Sequence, residues 1–597
     1  WNWNAPLIIS PHDNRRLYYG AERLFRSDDR GESWKAISGD LSRDIDRNKL
    51  DVMGRVWSVD AIAKNVSTST YGALIAVDES PLVEGLIYAG TDDGLIHVTS
   101  DGGGTWSTVE SFRGVPDMSL IEDIISSFHN ADVAYATIDN HKRGDYKPYV
   151  LKTENRGKSW TLISNNLPER GTAHTIIEDH VDSNLLFVGT EFGLFFSNNG
   201  GDSWTELTSL PTVAVRDLEI QRREGDLVVG TFGRGIYILD DYSPLRSSTS
   251  TLEAGANLFS VRDTWLYMPD SRRGWGGKGD WGVGRYTADN PPYGAVFAYY
   301  LPEDLQSLKE QRQKAEGKLA KDGGDNPYPS WNQLRREDRE EAPSITLTVR
   351  DATGNVIQRI DAPAGKGFHR VAWNMRYPAP DPVNLKPKTD YAPWMSPPKG
   401  PMALPGDYSV TMSKRVEGKL VEIAPAQSFA LKPLFTGGLV TDDRQALLDF
   451  EMQSAALYRA ITGAGKAAGE IQGRIDHLLK AATDTPSSSE SHAQSLRALN
   501  TRMQDLKVKL NGDSTISNRA EKVPMSITGR ISTIVGGHWD SQSSVTGNYR
   551  DSYAVADQQF RGVLAELKAI ATDLAEVEAA LQAEGAPWTP GRIPDWP

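Results

Sequence analysis

The sequence predicts a mainly β protein, in which a partial β-propeller of about five blade-like units precedes an immunoglobulin-like β-sandwich and an antiparallel helical bundle. Three observations predict this order. One turn pattern ending in Trp occurs four times in the first third of the chain, the middle third alternates short β-type runs with turns, and the last third has Leu-, Ala- and Ile-rich helical periodicity. The predicted ranges are 1–242 for the blades, 243–293 for a Gly- and Trp-rich connector, 294–435 for the sandwich and 436–597 for the bundle and tail. A charged insertion at 303–340 is predicted as one exposed helix with i,i+4 pairs such as Glu310 with Lys314.

The repeated turn has the form Ser/Thr-x-Asp/Asn-x-Gly-x-Ser/Thr-Trp. The hydroxyl and the Asp or Asn can bond nearby backbone N–H groups, the Gly supplies a positive φ, and the Trp is large enough to wedge between neighbouring sheets. The four copies are Ser27, Asp29, Gly31, Trp34; Thr99, Asp101, Gly103, Trp106; Thr153, Asn155, Gly157, Trp160; and Ser197, Asn199, Gly201, Trp204. Such a recurring turn is typical of a radially repeated fold.

These turns are Asp-box (BNR) repeats, and the segment that carries them resembles the propellers of sialidases, xyloglucan-cleaving glycosidases and sortilin-type receptors. The whole chain resembles the carboxyl-terminal half of large secreted bacterial BNR-repeat, sortilin-like proteins that are named glycosyl hydrolases. The runs that carry this resemblance are WNWNAPLIISPH at 1–12, GTDDG at 90–94, GTFGRGIYILDD at 230–241 and NPPYGA at 290–295. The resemblance implies a secreted, periplasmic or cell-surface bacterial protein. It does not imply an activity, because that family's name was inherited from the repeat rather than from demonstrated chemistry.

Composition narrows the choice of partners. The chain has 597 residues, which predicts several domains, and its net charge of −14 argues against nucleic acid or an anionic membrane surface as partner. It contains no cysteine, so disulfides, thiolate metal sites and cysteine nucleophiles are excluded. The first predicted unit starts abruptly and the fifth has no Asp box. We therefore expect a companion amino-terminal propeller segment or chain to supply further blades; the alternative is a small, self-closed propeller with one odd blade.

Candidate ligand-binding residues lie opposite the Asp boxes. The hairpin between strands two and three of each blade must point away from the Asp-box end, because successive antiparallel turns alternate ends. Carboxylates recur in four of these five hairpins and the fifth presents an arginine. The predicted ligand-binding residues are Glu22, Asp92, Asp93, Asp139, His141, Arg143, Asp145, Glu191 and Arg234, together with Trp275 and Trp281 of the connector as an aromatic platform.

Three functions remain open at this point. The first is binding of polysaccharide or protein through this face. The second is glycoside hydrolysis by two carboxylates about 5–9 Å apart, with Asp92, Asp93 and Glu191 as candidates and the missing blades completing the site. The third is structural: the helical bundle and the sandwich mediate assembly, and the propeller is a scaffold. The acidic turn residues then reflect turn chemistry, and the two Trp residues fasten the connector to its neighbours.

No cofactor is predicted. His174 and Glu178 have a helical metal-ligand spacing, but on a strand residues four apart stand ~13 Å from each other. Oxygen ligands for Ca²⁺ could come from Asp44 and Asp46 or from Asp92 and Asp93, although no complete calcium loop is present. The only Arg-Ile-Pro run, at 592–594, lies in the tail rather than before the first Asp box, so the sialidase constellation is absent.

Overall fold

The computed structural model describes residues 1–64, 66, 71–247, 252, 254–269, 288, 290–386, 390–391, 397–434 and 440–594. The chain divides into two compact units, Trp1–Ala254 and Gly255–Pro597. None of the helices in the described ranges has both the length and the apolar character that crossing a membrane requires.

The described part of the first unit forms five antiparallel sheets, numbered here in chain order, four with four strands and the last with three. Sheet 1 contains β1 (Leu7–Ile9), β2 (Leu17–Gly20), β3 (Leu24–Ser27) and β4 (Lys35–Ala36); sheet 2 contains β5 (Leu74–Glu79), β6 (Ile87–Thr91), β7 (Ile96–Thr99) and β8 (Ser107–Val109); sheet 3 contains β9 (Leu120–Ser126), β10 (Ala134–Asp139), β11 (Tyr149–Thr153) and β12 (Thr161–Leu162); sheet 4 contains β13 (Ala173–Glu178), β14 (Leu186–Thr190), β15 (Gly193–Ser197) and β16 (Thr205–Glu206); sheet 5 contains β17 (Val215–Gln221), β18 (Asp226–Thr231) and β19 (Ile236–Leu239). In every sheet the strands follow one another in sequence order, so each sheet is a meander.

Each sheet packs on the next through a separate hydrophobic core. The first strands of sheets 2 to 5 also contact one another in order, β5 with β9, β9 with β13 and β13 with β17. First strands are therefore the inner strands of the series.

The many small antiparallel sheets confirm the prediction of a mainly β protein. The propeller and its number of blades stay predictions.

The four Asp-box turns lie between the third and fourth strands of sheets 1 to 4. In the first copy Ser27 Oγ donates to Asp29 at 2.7 Å and accepts from the Gly31 N–H at 2.8 Å, and Gly31 has φ +93°. The other three copies repeat the bond from the glycine N–H to the hydroxyl, at 2.9–3.0 Å. Two of the tryptophans bond to the preceding sheet: Trp106 and Trp204 donate from Nε1 to carbonyls that follow its fourth strand. Trp34 of the first turn donates to the Gly31 carbonyl of its own turn. The turn chemistry inferred from the sequence is thus present.

Glycines on the second strands allow the sheets to approach closely. A Cβ built on Gly20, Gly90 or Gly189 would lie 2.9 Å from Leu74 Cβ, 2.5 Å from Ile121 Cγ2 or 2.6 Å from Val215 Cγ1, respectively. In each case the contacting residue belongs to the first strand of the next sheet. An aliphatic side chain of the next sheet therefore occupies the space that a side chain at the glycine position would need.

The second unit begins with two sheets that share one hydrophobic core. Its strands are β20 (Asn257–Leu258), β21 (Thr264–Leu266), β22 (Ala295–Leu301), β23 (Ser344–Asp351), β24 (Val356–Ala362), β25 (Gly367–Trp373), β26 (Gly406–Val416) and β27 (Lys419–Pro433). One sheet has the order β20-β22-β25 and the other β21-β27-β26-β23-β24. An immunoglobulin-like topology for these sheets stays a prediction.

The insertion at 303–340 differs from the sequence prediction. It contains two helices, α1 (Leu308–Lys321) and α2 (Trp331–Arg339), rather than one. The break follows from Gly323, which has φ +75°, and from the two prolines at 327 and 329. Ser307 caps the first helix, and the Glu310 side chain accepts from the Ser307 N–H in return. The i,i+4 ion pair is Arg312 with Glu316, at 3.0 Å, instead of Glu310 with Lys314.

A helical region ends the chain, as the sequence predicts. Its helices are α3 (Arg444–Asp484), α4 (Glu490–Asn511), α5 (Ser514–Ser517), α6 (Ile527–Gly537) and α7 (Gly547–Ala583). The side chains of Asp443, Ser489 and Ser526 cap the amino ends of α3, α4 and α6. One core of Leu, Ile, Ala and Phe side chains joins the long helices.

We expect Gly90→Ala to destabilise the protein by about 2–3 kcal/mol, because the new methyl group would overlap the Ile121 side chain of the next sheet. The free energy of unfolding, measured by urea denaturation, checks this. Gly39→Ala is the matched control, since no atom lies within 4 Å of a Cβ at that position. Equal losses in the two variants would contradict a packing role for Gly90.

Candidate functional site

The meander order of the sheets fixes which loops lie at each end of the first unit. Turns one–two and three–four lie at the Asp-box end, whereas hairpins two–three and the connections between sheets lie at the other. We call this second end the site face. The hairpin residues predicted from the sequence all belong to it.

A pocket of about 330 Å³ opens on the site face. Its walls come from the hairpin of sheet 3, the connection between sheets 3 and 4, sheet 4 itself and the first strand of sheet 5. The lining residues are His141, Tyr146, Arg170, Gly171, Thr172, His174, Glu191, Phe192 and Arg216.

His174 is the buried centre of this pocket. Its Nε2 lies 2.9 Å from Glu191 Oε2, and Arg216 NH1 lies 3.1 Å from its Nδ1. Because a guanidinium only donates, Nδ1 accepts and the ring proton is assigned to Nε2, from which it is donated to Glu191. The imidazole is therefore held in one neutral tautomer between an arginine and a carboxylate.

Glu122 completes the group. Its Oε1 lies 3.6 Å from His174 Nδ1 and 3.6 Å from Arg216 NH1, while Arg216 NH2 lies 3.7 Å from Glu191 Oε2. We call Glu122, His174, Glu191 and Arg216 the charged cluster. The guanidinium from sheet 5 thus stands beside one carboxylate from sheet 3 and beside a carboxylate and a histidine from sheet 4.

Recurring β-bulges build the charged cluster. The pairing between first and second strands skips one residue of the first strand in each of sheets 2 to 5, and the skipped residues are Ile75, Glu122, His174 and Arg216. A bulge re-aims the side chain of its extra residue. Because the first strands of neighbouring sheets contact one another, the last three of these side chains meet at the site face.

Two further carboxylates link the inner strands just beyond the bulges. Asp78 accepts from the Ser126 N–H at 2.6 Å, and Asp123 accepts from Thr175 Oγ1 at 2.9 Å and the Ile176 N–H at 3.1 Å. Burial raises the pKa of Asp78 to about 7 and that of Asp123 to about 6. These groups tie each first strand to the next and are not part of the pocket lining.

The structure places Asp92 and Asp93 away from the charged cluster's hydrogen bonds. Both side chains are buried. Asp92 Oδ1 accepts from the N–H groups of Gly72 and Ala73 at 2.9 and 2.8 Å, and burial raises its pKa. Asp93 Oδ2 accepts from the Arg43 N–H at 2.8 Å. Of the three catalytic candidates from the sequence, the structure brings only Glu191 into the cluster.

The remaining predicted residues are dispersed along the site face. His141 lines the pocket and is held by Asp139 through its ring Nδ1 and its backbone N–H. Asp145 accepts from the Tyr149 hydroxyl at 2.7 Å, and Arg143 donates to the Asp117 carbonyl at 2.6 Å. Glu22 and Arg234 are exposed on their hairpins, and Trp275 and Trp281 lie outside the described residues.

A metal centre is not evident in the described part of the chain, where no group of three or more His, Asp or Glu side chains is arranged to hold an ion. Asp46 instead caps a short 3₁₀ turn by accepting from the Asn48 N–H at 3.0 Å. A calcium site at Asp44 and Asp46 stays a prediction.

Comparison with known proteins gives one related sequence. No family model matches the chain. A xyloglucanase from Paenibacillus sp is 25% identical over 182 residues, which are 28% of this chain and 18% of the xyloglucanase. This relative belongs to the xyloglucan-cleaving group among the predicted resemblances; the sortilin-like resemblance stays a prediction.

Similar solved structures include two GH74 enzymes and the protein YCF48. The GH74 xyloglucanase from Xanthomonas campestris has a TM-score of 0.29 at 18% identity, over 44% of this chain and 41% of its own. The Niastella koreensis GH74 enzyme has a TM-score of 0.30 at 14% identity, over 70% and 56%. YCF48 from Cyanidioschyzon merolae has a TM-score of 0.26 at 14% identity, over 38% and 64%. These TM-scores are too low to identify a shared fold.

We expect Asp92→Ala to lower the free energy of unfolding by about 2–4 kcal/mol, because two buried backbone N–H groups would lose their acceptor. Glu22→Ala is the control and should change stability by less than about 0.5 kcal/mol, since Glu22 is exposed. Urea denaturation of both variants checks this. An Asp92→Ala variant as stable as the wild type would contradict the structural role and return Asp92 to the list of ligand-binding candidates.

Proposed function

We propose that the first unit is a partial β-propeller that binds a polysaccharide on its site face, at the pocket around the charged cluster. The observation that carries this proposal is the recurring bulge, which brings Glu122, His174 and Arg216 from three successive sheets to one place. Bulges are frequent next to functional sites, and in these three sheets the bulge residue is charged or titratable, whereas the matching bulge of sheet 2 carries Ile75.

The rim of the pocket suits a sugar. The site face has exposed aromatic residues, namely Tyr146, Phe192 and Phe232. The guanidinium carbon of Arg216 lies over the Phe232 ring, 5.8 Å from the ring centroid. Aromatic rings stack on the apolar faces of sugar rings, and the hydroxyl groups then need donors and acceptors at the sides. Arg170 and Arg216 offer donors, and Glu191 offers an acceptor.

The relative supports a glucan as the polymer to test first, because it is named a xyloglucanase. A polysaccharide ligand also places the protein outside the bacterial cell or in the periplasm, in agreement with the resemblance to secreted proteins.

We expect xyloglucan oligosaccharides to bind the full chain, and Phe192→Ala to weaken this binding at least tenfold because a stacking ring is lost. Isothermal titration calorimetry measures both, with cellulose and pectin oligosaccharides titrated in parallel. Leu82→Ala is the matched control, since Leu82 is equally exposed but lies at the Asp-box end. Absence of binding to every polysaccharide on a glycan array would overturn the proposal.

Glycoside hydrolysis is the second candidate, favoured by the two carboxylates of the charged cluster. Glu122 and Glu191 lie 3.6 and 3.7 Å from the two terminal nitrogens of Arg216, so their carboxylates stand less than about 10 Å apart. Such a spacing leaves room for a glycosidic bond between an acid and a base or nucleophile.

If the chain cleaves xyloglucan, we expect Glu122→Gln and Glu191→Gln each to lower kcat by at least about 100-fold, with the Kd for oligosaccharides changed much less. A reducing-sugar assay measures the rate and calorimetry measures the binding. Glu22→Gln serves as the control on the same face. Hydrolysis that survives both substitutions would exclude this pair, and binding without hydrolysis in the wild type would leave the protein a binding protein.

A further inference from the structure

We propose that the outer face of sheet 5 is a docking surface for one more antiparallel sheet of the same repeat, supplied by the predicted companion propeller segment. By the outer face we mean the side of β17 to β19 that points away from sheet 4. The inference starts from how the sheets already present contact one another.

Three of the four internal interfaces follow one rule; at the fourth, between sheets 3 and 4, Thr137 stands at the matching position. In those three, the second strand of a sheet carries a glycine, and an aliphatic side chain from the first strand of the next sheet covers it. Leu74 covers Gly20, Ile121 covers Gly90 and Val215 covers Gly189 at distances that leave no room for a side chain. The glycine is thus the receiving half of a sheet–sheet contact that occurs three times.

Gly230 is the same receiving residue in sheet 5. It pairs with Ile236 as Gly90 pairs with Ile96 and as Gly189 pairs with Leu194. A Cβ on Gly230 would meet only Asp217 of its own sheet, at 3.3 Å. Sheet 5 therefore has the receiving position, but within the part of the chain that the structure describes no aliphatic side chain of another sheet covers it.

The neighbours of Gly230 are apolar and exposed to water. Ile236 and Ile238 are 72% and 59% exposed, whereas the matching Ile96 and Val98 of sheet 2 are 0% and 5% exposed in the core that they share with sheet 3. Two isoleucines side by side on an open strand are unusual for a free surface. They match the residues that a following sheet buries elsewhere in the unit.

Sheet 1, at the other end of the series, also has exposed apolar residues. Trp34, the Asp-box tryptophan of sheet 1, is 41% exposed, while Trp160 and Trp204 are 7% and 4% exposed against the sheet that precedes them. Leu7 and Ile9 of β1 are also exposed. Sheet 1 therefore has the surface that meets a preceding sheet, just as sheet 5 has the surface that meets a following one.

The contacts also define the segment that would occupy this surface. That segment is a meander sheet with the Asp-box turn between its third and fourth strands. Its first strand carries Leu, Ile or Val at the position that covers Gly230. The described sheets in 255–434 have a different strand order and no such turn, so they do not fit this description.

Photo-crosslinking in the producing bacterium tests the proposal. The full chain is expressed there with p-benzoylphenylalanine in place of Ile238, and the crosslinked peptides are identified by mass spectrometry. Val181, exposed in a loop at the Asp-box end, is the control position. We expect a crosslink from position 238 to a polypeptide segment that carries Asp-box turns outside residues 1–254, and none to that segment from position 181.

Gly230→Leu adds a second readout. Its side chain would occupy the receiving position, and we expect the crosslink from position 238 to fall about tenfold while the melting temperature of the isolated chain stays unchanged. Gly39→Leu, at an open position, should leave the crosslink intact. A crosslink to residues 255–597, to a second copy of this chain or to a protein without Asp-box turns would overturn the proposal. So would no crosslink at all, or one that Gly230→Leu does not reduce.

Discussion

The close approach of neighbouring first strands is the constraint on which the rest of the first unit depends. At three of the four interfaces glycine occupies the receiving position on the second strand, so that an aliphatic side chain of the next sheet can enter the gap; between sheets 3 and 4 this position is Thr137, whose hydroxyl donates to the His174 carbonyl at 3.1 Å. Polar contacts then fix the register between sheets: Tyr18 donates to Glu79 at 3.1 Å and Tyr135 to Glu178 at 3.2 Å, each across one interface. Burial of these carboxylates without such donors would be costly, so each bond also selects the correct alignment.

The candidate site follows from this packing rather than from any single hairpin. Once the inner strands are held side by side, a bulge at one shared position in each sheet delivers one side chain per sheet to the same place. Arg216 is the residue that makes the arrangement stable, because its positive charge stands beside both Glu122 and Glu191 and its NH1 fixes the tautomer of His174. A neutral residue at position 216 would leave two like charges close together next to a buried imidazole.

Local features could be predicted from the sequence, and features that depend on several sheets could not. The Asp-box turns satisfy their own hydrogen bonds within a few residues, so their pattern alone predicted them, and Glu191 was found because it stands on a hairpin of the predicted face. Glu122 and Arg216 were not predicted, and His174 was considered only as a metal ligand, because a bulge cannot be recognised from one strand alone. The first strands can be aligned as Leu74-Ile-Ala, Ile121-Glu-Asp, Ala173-His-Thr and Val215-Arg-Asp. In this alignment the middle position is variable and mostly polar, which is the signal that could have indicated these residues. Asp92 and Asp93 carried the same acidic signal as Glu191, but their carboxylates turn to backbone N–H groups of the connecting segment.

The proposed docking surface and the candidate site are connected through the same bulge. Each first strand that packs beside the first strand of the preceding sheet places its bulge residue next to that of its neighbour, as His174 stands next to Glu122 and Arg216 next to His174. A further sheet that covers Gly230 would by the same geometry bring its own bulge residue beside Arg216. The pocket would then gain a wall on the side of sheet 5, where Phe232 and Arg216 now face water. The identity of that residue would set whether the guanidinium keeps neutralising Glu122 and Glu191 or turns toward a new acid. On this argument the ligand preference of the site is a property of the assembled ring of sheets, and the residues of one sheet alone are not sufficient to define it.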